Sequence, residues 1–546
     1  MPTHPPSASD ALACMDIHVR KHGGDNAGLF VENFATVAAE LGQGRKQILV
    51  ESAIRSSSPT FTAFADPRVV DLRADGGVKP GFNTTSHLIL IARLLQEERR
   101  KALPDIERVC RRIGDFTRLA IRSNLAGRED DRIARDMEAV VGDVIDRPDA
   151  PHSLVMLLHG RGMLEQRGED WQFVRGDGRR SVTGVGEELA QMLYAKYFAL
   201  KGLRTGRLNI YTDAMRKVAD GDPYFPGDVR RLREDIALQV QCLLHDADVI
   251  VAGGYLPNIG GRRGYSDITG AIIAQAVRRS GHDVAYAIEK EFPIMSGDPS
   301  RTRNARPVPA MTYFLGKELF GKIRGANGGA VDPSAVDLAA EDKIPIVVCN
   351  PRKEDATVIA DYVPQPNGIE IVAVRKVPIA VEITCEQMIG NPGFLKKVTG
   401  FFAHPDRGIS IDQVATSEGS ISLTFTEEFP EELLAQLEHA LHMEYGHEEV
   451  ITMDILRNTS LVFCLGNNMK RPGVAARAAL ALELAGADIH LITQGLNERV
   501  MTFLIDDANV NDAVALLHDF CVLLPEEESA SVMRDIRGKI LDAVRK

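Results

Sequence analysis

A lysine followed closely by two glycines is the first segment of this chain equipped for chemistry: in DIHVRKHGGDN (16–26) an apolar run ends in Lys21, Gly23 and Gly24. Two glycines let backbone N–H groups approach an anion closely, and the lysine adds a compact positive charge. Taken alone, the same residues also describe a plain turn with a surface lysine. In ESAIRSSSPTFT (51–62), Ser52 and Ala53 open a hydroxyl-rich loop after a second apolar run. The ends of such strands are where open α/β sheets bind ligands. Gly186 and Glu187 in SVTGVGEELAQML (181–193) stand at a helix start, where an acidic side chain is favourable with the helix dipole and a simple cap accounts for it. The segment VAGGYLPNIGGRRGYSDITGAIIAQAV (251–277) is more elaborate. A hydrophobic run enters a glycine-rich loop holding Arg262, Arg263, Ser266 and Asp267, then a helix. Helix N-termini and glycine loops favour anions, and arginine grips carboxylates or phosphates through two parallel hydrogen bonds, so this reads as a binding loop. It lacks the G-x-x-x-x-G-K-[ST] pattern of a Walker A loop. Asp298-Pro299 in 288–308 and the glycine-rich GKIRGANGGAVDPSAV (321–336) complete the set.

These residues need a frame, and the apolar runs supply one. ILVESA (48–53), LNIYTD (208–213), ADVIVAGG (247–254), VAYAIE (284–289) and IPIVVC (344–349) are short, near-continuously apolar and bounded by charge or glycine. Such runs suit strands covered by helices on both faces. Helical patterns such as EELAQMLYAKYFALKG (187–202) alternate with them, which predicts a mostly parallel α/β sandwich. The composition agrees: 44% hydrophobic and 26% charged residues exclude wholesale disorder. A net charge of −12 argues against gripping nucleic acid through bulk charge. Seven scattered cysteines without a C-x-x-C argue against a disulfide framework or a zinc knuckle, and fit a reducing compartment. No apolar run approaches the ~20 residues that span a bilayer. The expected location is the cytoplasm, and residues 1–14 read as a disordered leader.

Two regions stand apart. Residues 95–175 are charged with helical period and read as a solvent-facing helical insertion, followed by a Gly/Arg-rich loop or hairpin around Trp171. After a linker, DYVPQPNGIE (361–370), the chain repeats itself. Pro392-Gly393 matches Pro472-Gly473, and Gly408 and Ile411 match Gly486 and Ile489. Each copy runs strand, Pro-Gly, helix, strand, turn, strand, a small ferredoxin-like plan whose sheets tend to pair edge to edge.

In this order the segments resemble the aspartate kinases of the amino-acid kinase superfamily. The resemblance is carried by the Lys-x-Gly-Gly start, the R-G-x-S-D-x-T loop, the Asp-Pro segment and the two repeats, in which TSEGSISLTF (416–425) and QGLNE (494–498) are similar to segments of that family's two ACT domains. It implies a three-layer α/β amino-acid-kinase domain over 15–360, ACT domains over 375–448 and 455–525, and a helical tail over 526–546. It also implies site roles. Lys21 bridges phosphates in the transition state, and Asp267 organises the reacting groups. Ser52, Ala53, Glu187, Arg263 and Ser266 hold the amino acid, with Glu187 on its amine and Arg263 on its α-carboxylate. Lys21, Gly23, Gly24, Lys290 and Asp298 serve the nucleotide, and no residue is assigned to a metal. Met388, Gly393, Ser410 and Asp412 are placed to hold an amino-acid effector.

The implied reaction is phosphorylation of the L-aspartate side-chain carboxylate with ATP and Mg²⁺. It belongs to amino-acid biosynthesis, with lysine or threonine as regulator, and to a homodimer or larger assembly joined through the ACT domains. No nucleic-acid or membrane partner is expected. Several residues depart from the family pattern. K-F-G-G-T-S is KHGGDN here, the T-D pair before the Asp-Pro segment is Glu289-Lys290, and Gly329 stands at the nucleotide-contacting lysine. Lys290 is the candidate replacement. The alternatives are a non-catalytic amino-acid-sensing homologue and a kinase for a different acidic amino acid.

Overall fold

The computed structural model describes residues 15–23, 28–56, 59–65, 82–84, 103–146, 164–167, 170–173, 185–209, 226–254, 265–323, 331–350, 355–361, 368–389, 393–404, 407–445, 451–495 and 499–524, with a few isolated positions besides. The chain divides into two compact units. The first comprises 1–294, 309–320 and 329–363, the second 295–308, 321–328 and 364–546. Among the described residues no helix is long and apolar enough to cross a membrane.

The first unit is built on an eight-stranded sheet. Its strands are β1 (Ile17–His22), β2 (Lys46–Glu51), β3 (Thr205–Leu208), β4 (Val249–Gly253), β5 (Val284–Glu289), β6 (Ala310–Thr312), β7 (Ile346–Cys349) and β8 (Ala356–Ala360), in the order β6-β8-β7-β5-β1-β2-β4-β3. Every pairing is parallel except β7 with β8. The central strands β1 and β5 are buried along their whole length, as apolar runs covered on both faces must be. The strand expected over 208–213 is found as β3, which ends at Leu208, and 210–213 lie outside the described residues.

Helices α1 (Phe30–Gly42), α2 (Leu103–Leu125), α3 (Asp131–Val141) and α4 (Val185–Leu200) share one core with Leu49, Val249 and Val251 of the sheet. Helix α6 (Tyr265–Arg279) covers the opposite face over Lys21 and Tyr286, with α5 (Pro226–Asp246) and α8 (Pro333–Glu341) packed on it, while α7 (Tyr313–Lys322) follows β6. The unit is thus a three-layer α/β sandwich. One expectation is corrected here. The helices within 95–175 are not a solvent-facing appendage: Val109, Ile113, Phe116, Ile121, Met137 and Val141 are fully buried. Val109, Ile113 and Phe116 recur at i, i+4 and i+7, an apolar stripe that the surrounding charges mask in a composition count. Around Trp171, Leu164–Arg167 and Asp170–Phe173 form a two-stranded antiparallel hairpin.

The second unit holds two four-stranded sheets. In the first repeat, β10 (Ala380–Cys385), α9 (Phe394–Phe402), β11 (Ile411–Thr416), β12 (Ser420–Phe425), α10 (Glu432–Tyr445) and β13 (Ile451–Leu456) give the order β11-β12-β10-β13. In the second, β14 (Thr459–Asn467), α11 (Val474–Leu484), β15 (Ile489–Gln494), β16 (Val500–Asp506) and α12 (Val510–Leu517) are joined by β9 (Gly368–Val377), in the order β9-β14-β16-β15. The second sheet therefore takes a strand from ahead of the first repeat, an arrangement that an expectation of two tandem blocks does not contain. The last residues of the expected linker, 368–370, are part of that strand. The internal repeat is visible in the backbone itself. Gly393 and Gly473 enter α9 and α11 at φ 104° and 91°, a left-handed conformation that favours glycine.

Candidate active site

Lys21 leaves β1 one residue before its end, on the face covered by α6. Its Nζ lies 2.9 Å from Oδ1 of Asp267 in the first turn of that helix, and both side chains are less than a tenth exposed. The other carboxylate oxygen of Asp267 accepts a hydrogen bond from the backbone N–H of Asp332, 3.2 Å away, at the start of α8. Tyr286 of β5 donates its hydroxyl proton to the Asp267 carbonyl at 2.8 Å and holds the helix start on the sheet. Burial alone pushes the Asp267 carboxyl up. The neighbouring Lys21 and Lys290 charges, with the hydrogen bonds from Lys21 and from Asp332, outweigh it and leave the group below its usual range. Lys290 follows β5 directly. Burial drives its pKa down to about 8 against the opposing pull of Asp267, while Lys21 and Arg55 lower it further. One buried carboxylate thus serves two lysines at the C-terminal edge of the sheet.

Ser52, Ala53, Ser266 and Glu187, expected to hold the amino acid, lie on elements that meet at the same edge. Ser52 Oγ donates to Ser266 Oγ at 3.3 Å, linking the loop after β2 to the start of α6. Gly254 must be glycine: a Cβ there would lie 2.6 Å from Ser266 Cβ and 2.9 Å from the Glu51 carbonyl oxygen. Gly186 is equally constrained, since a Cβ would come within 2.9 Å of that of Ala53. This close approach seats the start of α4, and with it Glu187, against the loop that carries Ala53, with the Glu187 backbone beside Gly253 at the end of β4.

On the opposite face of β1 lies a second charged group that sequence reasoning missed. Parallel register pairs His22 with Glu51, and Glu289 is the matching residue at the end of β5. His22 Nδ1 stands 2.8 Å from Glu51 and its Nε2 3.5 Å from Glu289. Arg20 reaches Glu289 at 3.3 Å, Gln47 at 2.9 Å and Glu40 of α1 at 2.9 Å. Burial by itself would lower the His22 pKa, but the two carboxylates raise it to about 10, with Nδ1 hydrogen-bonded to Glu51 and Nε2 facing Glu289 as an ion-pair partner. Glu51 is held above the usual carboxylate range by burial, and Glu289 below it by His22 and Arg20 despite burial. The only signal in the sequence was a histidine, a glutamate and another glutamate ending apolar runs.

Gly24, Arg263 and Gly329 lie outside the described residues, whereas Gly23 sits beside the Glu289 carbonyl. Asp298 belongs to the other compact unit, in a segment tied there by Ser296 to His518 at 2.8 Å and by Arg301 to Asn511 at 2.6 Å. Its carboxylate accepts from the N–H and hydroxyl of Ser300, closing a local turn. Among the effector residues, Met388 packs against the core of the first repeat, while Gly393 and Ser410 are exposed. Asp412 already has a cation: it is ion-paired with Arg375 of β9, both side chains at most a tenth exposed. Next to it, Thr493 of β15 donates to Gln413 of β11 at 3.0 Å, across the two sheets.

Comparison with known proteins identifies what this arrangement resembles. The model of the amino acid kinase family matches residues 21–350, and an ACT-domain model matches 462–520. Aspartokinase 1, chloroplastic, of Arabidopsis thaliana is 27% identical over 362 residues, 62% of this chain and 60% of that protein. Aspartokinase 3, chloroplastic, of the same plant is 29% identical over 263 residues, 47% of this chain and 45% of that protein. The chain therefore spans 45–60% of the length of these curated relatives. Among solved structures, E. coli aspartokinase III in complex with aspartate and ADP aligns over 92% of this chain and 99% of its own, with a TM-score of 0.61 at 19% identity, a likeness of fold.

Proposed function

This chain belongs to the amino acid kinase family, and on that premise we propose that it transfers the γ-phosphoryl group of ATP to the side-chain carboxylate of L-aspartate, giving 4-phospho-L-aspartate. The observation that carries the reading is Lys21 paired at 2.9 Å with the buried carboxylate of Asp267 at the C-terminal edge of the sheet, with Lys290 near enough to feel the same charge. Phosphoryl transfer asks a protein mainly for positioning and charge neutralisation. An aspartate carboxylate oxygen attacks the γ-phosphorus in line, forming the acyl phosphate bond as the bond to the bridging oxygen breaks and ADP leaves. Lys21 and Lys290 neutralise charge on the transferring group, and Asp267 holds the Lys21 ammonium in place while its charge favours the protonated form of Lys290. Lys290 thereby takes the part left open by Gly329. Gly23 and Gly24 are the nucleotide-side glycines in this reading. Arg263 binds the aspartate α-carboxylate, Glu187 its amine, and Ser52, Ala53 and Ser266 line the pocket between them. Mg²⁺, when bound with the nucleotide, would supply further neutralisation of phosphate charge.

The two repeats support amino-acid control, with lysine or threonine as effector near Met388, Gly393 and Ser410, and a homodimer joined through them. Asp412 is paired with Arg375 through one carboxylate oxygen, so an effector ammonium would share the carboxylate with Arg375.

The test is a hydroxamate trap. Purified full-length protein with ATP, Mg²⁺ and hydroxylamine is offered a panel of amino acids, and aspartyl hydroxamate is the expected product. Trapping with a different acidic amino acid would replace the acceptor. No hydroxamate from any of them, with calorimetric binding of lysine or threonine retained, would make the chain a sensor and not a kinase.

A further inference from the structure

We infer that His22, clamped between Glu51 and Glu289, is a positioning residue that acts through Lys21: the cluster ties the C-terminal ends of β1, β2 and β5 together beneath the site. Three observations carry this. First, each member of the cluster adjoins a residue of the proposed site in the chain, His22 next to Lys21, Glu51 next to Ser52 and Glu289 next to Lys290. Second, the three strands are neighbours only through tertiary structure, in the order β5-β1-β2, with His22 on the central one. His22 contacts both flanking strands from that position, at 2.8 Å and 3.5 Å. Third, the group is fully buried and extended outward by Arg20 to Gln47 and to Glu40 of α1, so it is locked to the helix layer as well as to the sheet.

The physical consequence follows from strand geometry. Successive side chains of a strand point to opposite faces, so His22 and Lys21 share a backbone but not a surrounding. Fixing the His22 ring from two sides fixes the peptide from which Lys21 projects toward Asp267. A neutral ring here would leave two buried carboxylates without the cation between them, and like charges in that setting push the strands apart. A shift of the Lys21 ammonium by about 1 Å is enough to cost on the order of 10²-fold in rate.

The inference rests on the reading of Lys21 as the cation that meets the transferred phosphoryl group, and its test separates the two. Full-length His22→Gln and Glu51→Gln are compared with wild type by thermal melting, by steady-state kinetics in both substrates, and by mass-spectrometric footprinting with an amine-acylating reagent. In folded His22→Gln, Lys21 is expected to acylate several-fold faster. Lys46, held by the carbonyls of Leu244 and Ala247 outside the cluster, keeps its wild-type rate. The kcat falls by about 10- to 100-fold while KM for each substrate stays within about threefold, the signature of a lost transition-state interaction. Glu51→Gln keeps the side-chain length and shape and removes only the charge, and it moves both readouts in the same direction by a smaller factor. Unchanged Lys21 acylation and kcat in these variants overturn the inference, as does a rise in KM with kcat untouched. If His22→Gln fails to fold, Glu51→Gln decides by the same two readouts. If wild type forms no acyl phosphate, the kinase reading falls, and the Lys21 footprint alone still decides the positioning claim.

Discussion

Replacing Asp267 by asparagine tests the centre of the proposed site. The substitution keeps the shape and an acceptor for the Asp332 N–H, but removes the charge that two lysines share. Lys21 and Asp267 stand 2.9 Å apart with 7% and 5% of their side chains exposed, so solvent screens the pair little. Breaking such a buried pair costs about 3–5 kcal/mol, and the retained hydrogen bond puts the expected loss near 3 kcal/mol. Catalysis suffers separately. With the carboxylate gone, Lys21 and Lys290 repel each other and no longer converge on one phosphoryl group, so kcat should fall by roughly 10²–10³-fold. The pH dependence provides the discriminating readout. A lysine is cationic below its pKa, so an activity that needs Lys290 charged is held below about 8 and lost as pH rises through it. Asp267 is the partner that keeps the proton on Lys290 against burial, so in Asp267→Asn that alkaline limb moves to lower pH. The assay is kcat/KM for ATP across about pH 6 to 9, alongside thermal melting. Wild-type turnover with an unmoved alkaline limb in folded Asp267→Asn would refute the arrangement of two lysines around one carboxylate.

Lys290→Met should lose turnover by at least about 10²-fold and abolish the alkaline limb; a limb that persists in the pH profile assigns it to another group. Arg263→Ala should raise the KM for aspartate by about 10- to 100-fold, the worth of a charge-assisted contact, while leaving that for ATP nearly unchanged. A change confined to nucleotide affinity would assign that loop to ATP. Asp412→Asn leaves the Arg375 guanidinium buried without its carboxylate, so the second unit should lose about 3–5 kcal/mol in denaturant unfolding, and Arg375→Met in the same chain should recover most of it. Wild-type stability of Asp412→Asn would show that the pair holds nothing together.

Much of this protein is legible in one dimension. Apolar runs of strand length separated by helical periods specify a parallel sheet with helices on both faces, because a strand buried on both sides has no polar alternation to show. Glycines next to lysine, arginine and aspartate mark the sheet edge where anions bind, because only glycine allows the close approach found at Gly186 and Gly254. The repeat is likewise visible, since the left-handed turns at Gly393 and Gly473 recur with the same residue type. Tertiary structure alone decided the rest. Residues 95–175 look like surface because their charges outnumber a narrow apolar stripe, and only packing showed that stripe buried. The strand Gly368–Val377 pairs with Thr459–Asn467, across the whole of the first repeat, and no local pattern encodes a partner that distant. The same holds for His22, Glu51 and Glu289. Each is one polar residue at the end of an apolar run, and only the order β5-β1-β2, which sets residues 22 and 289 side by side, turns three separate side chains into one buried charge cluster beneath the site.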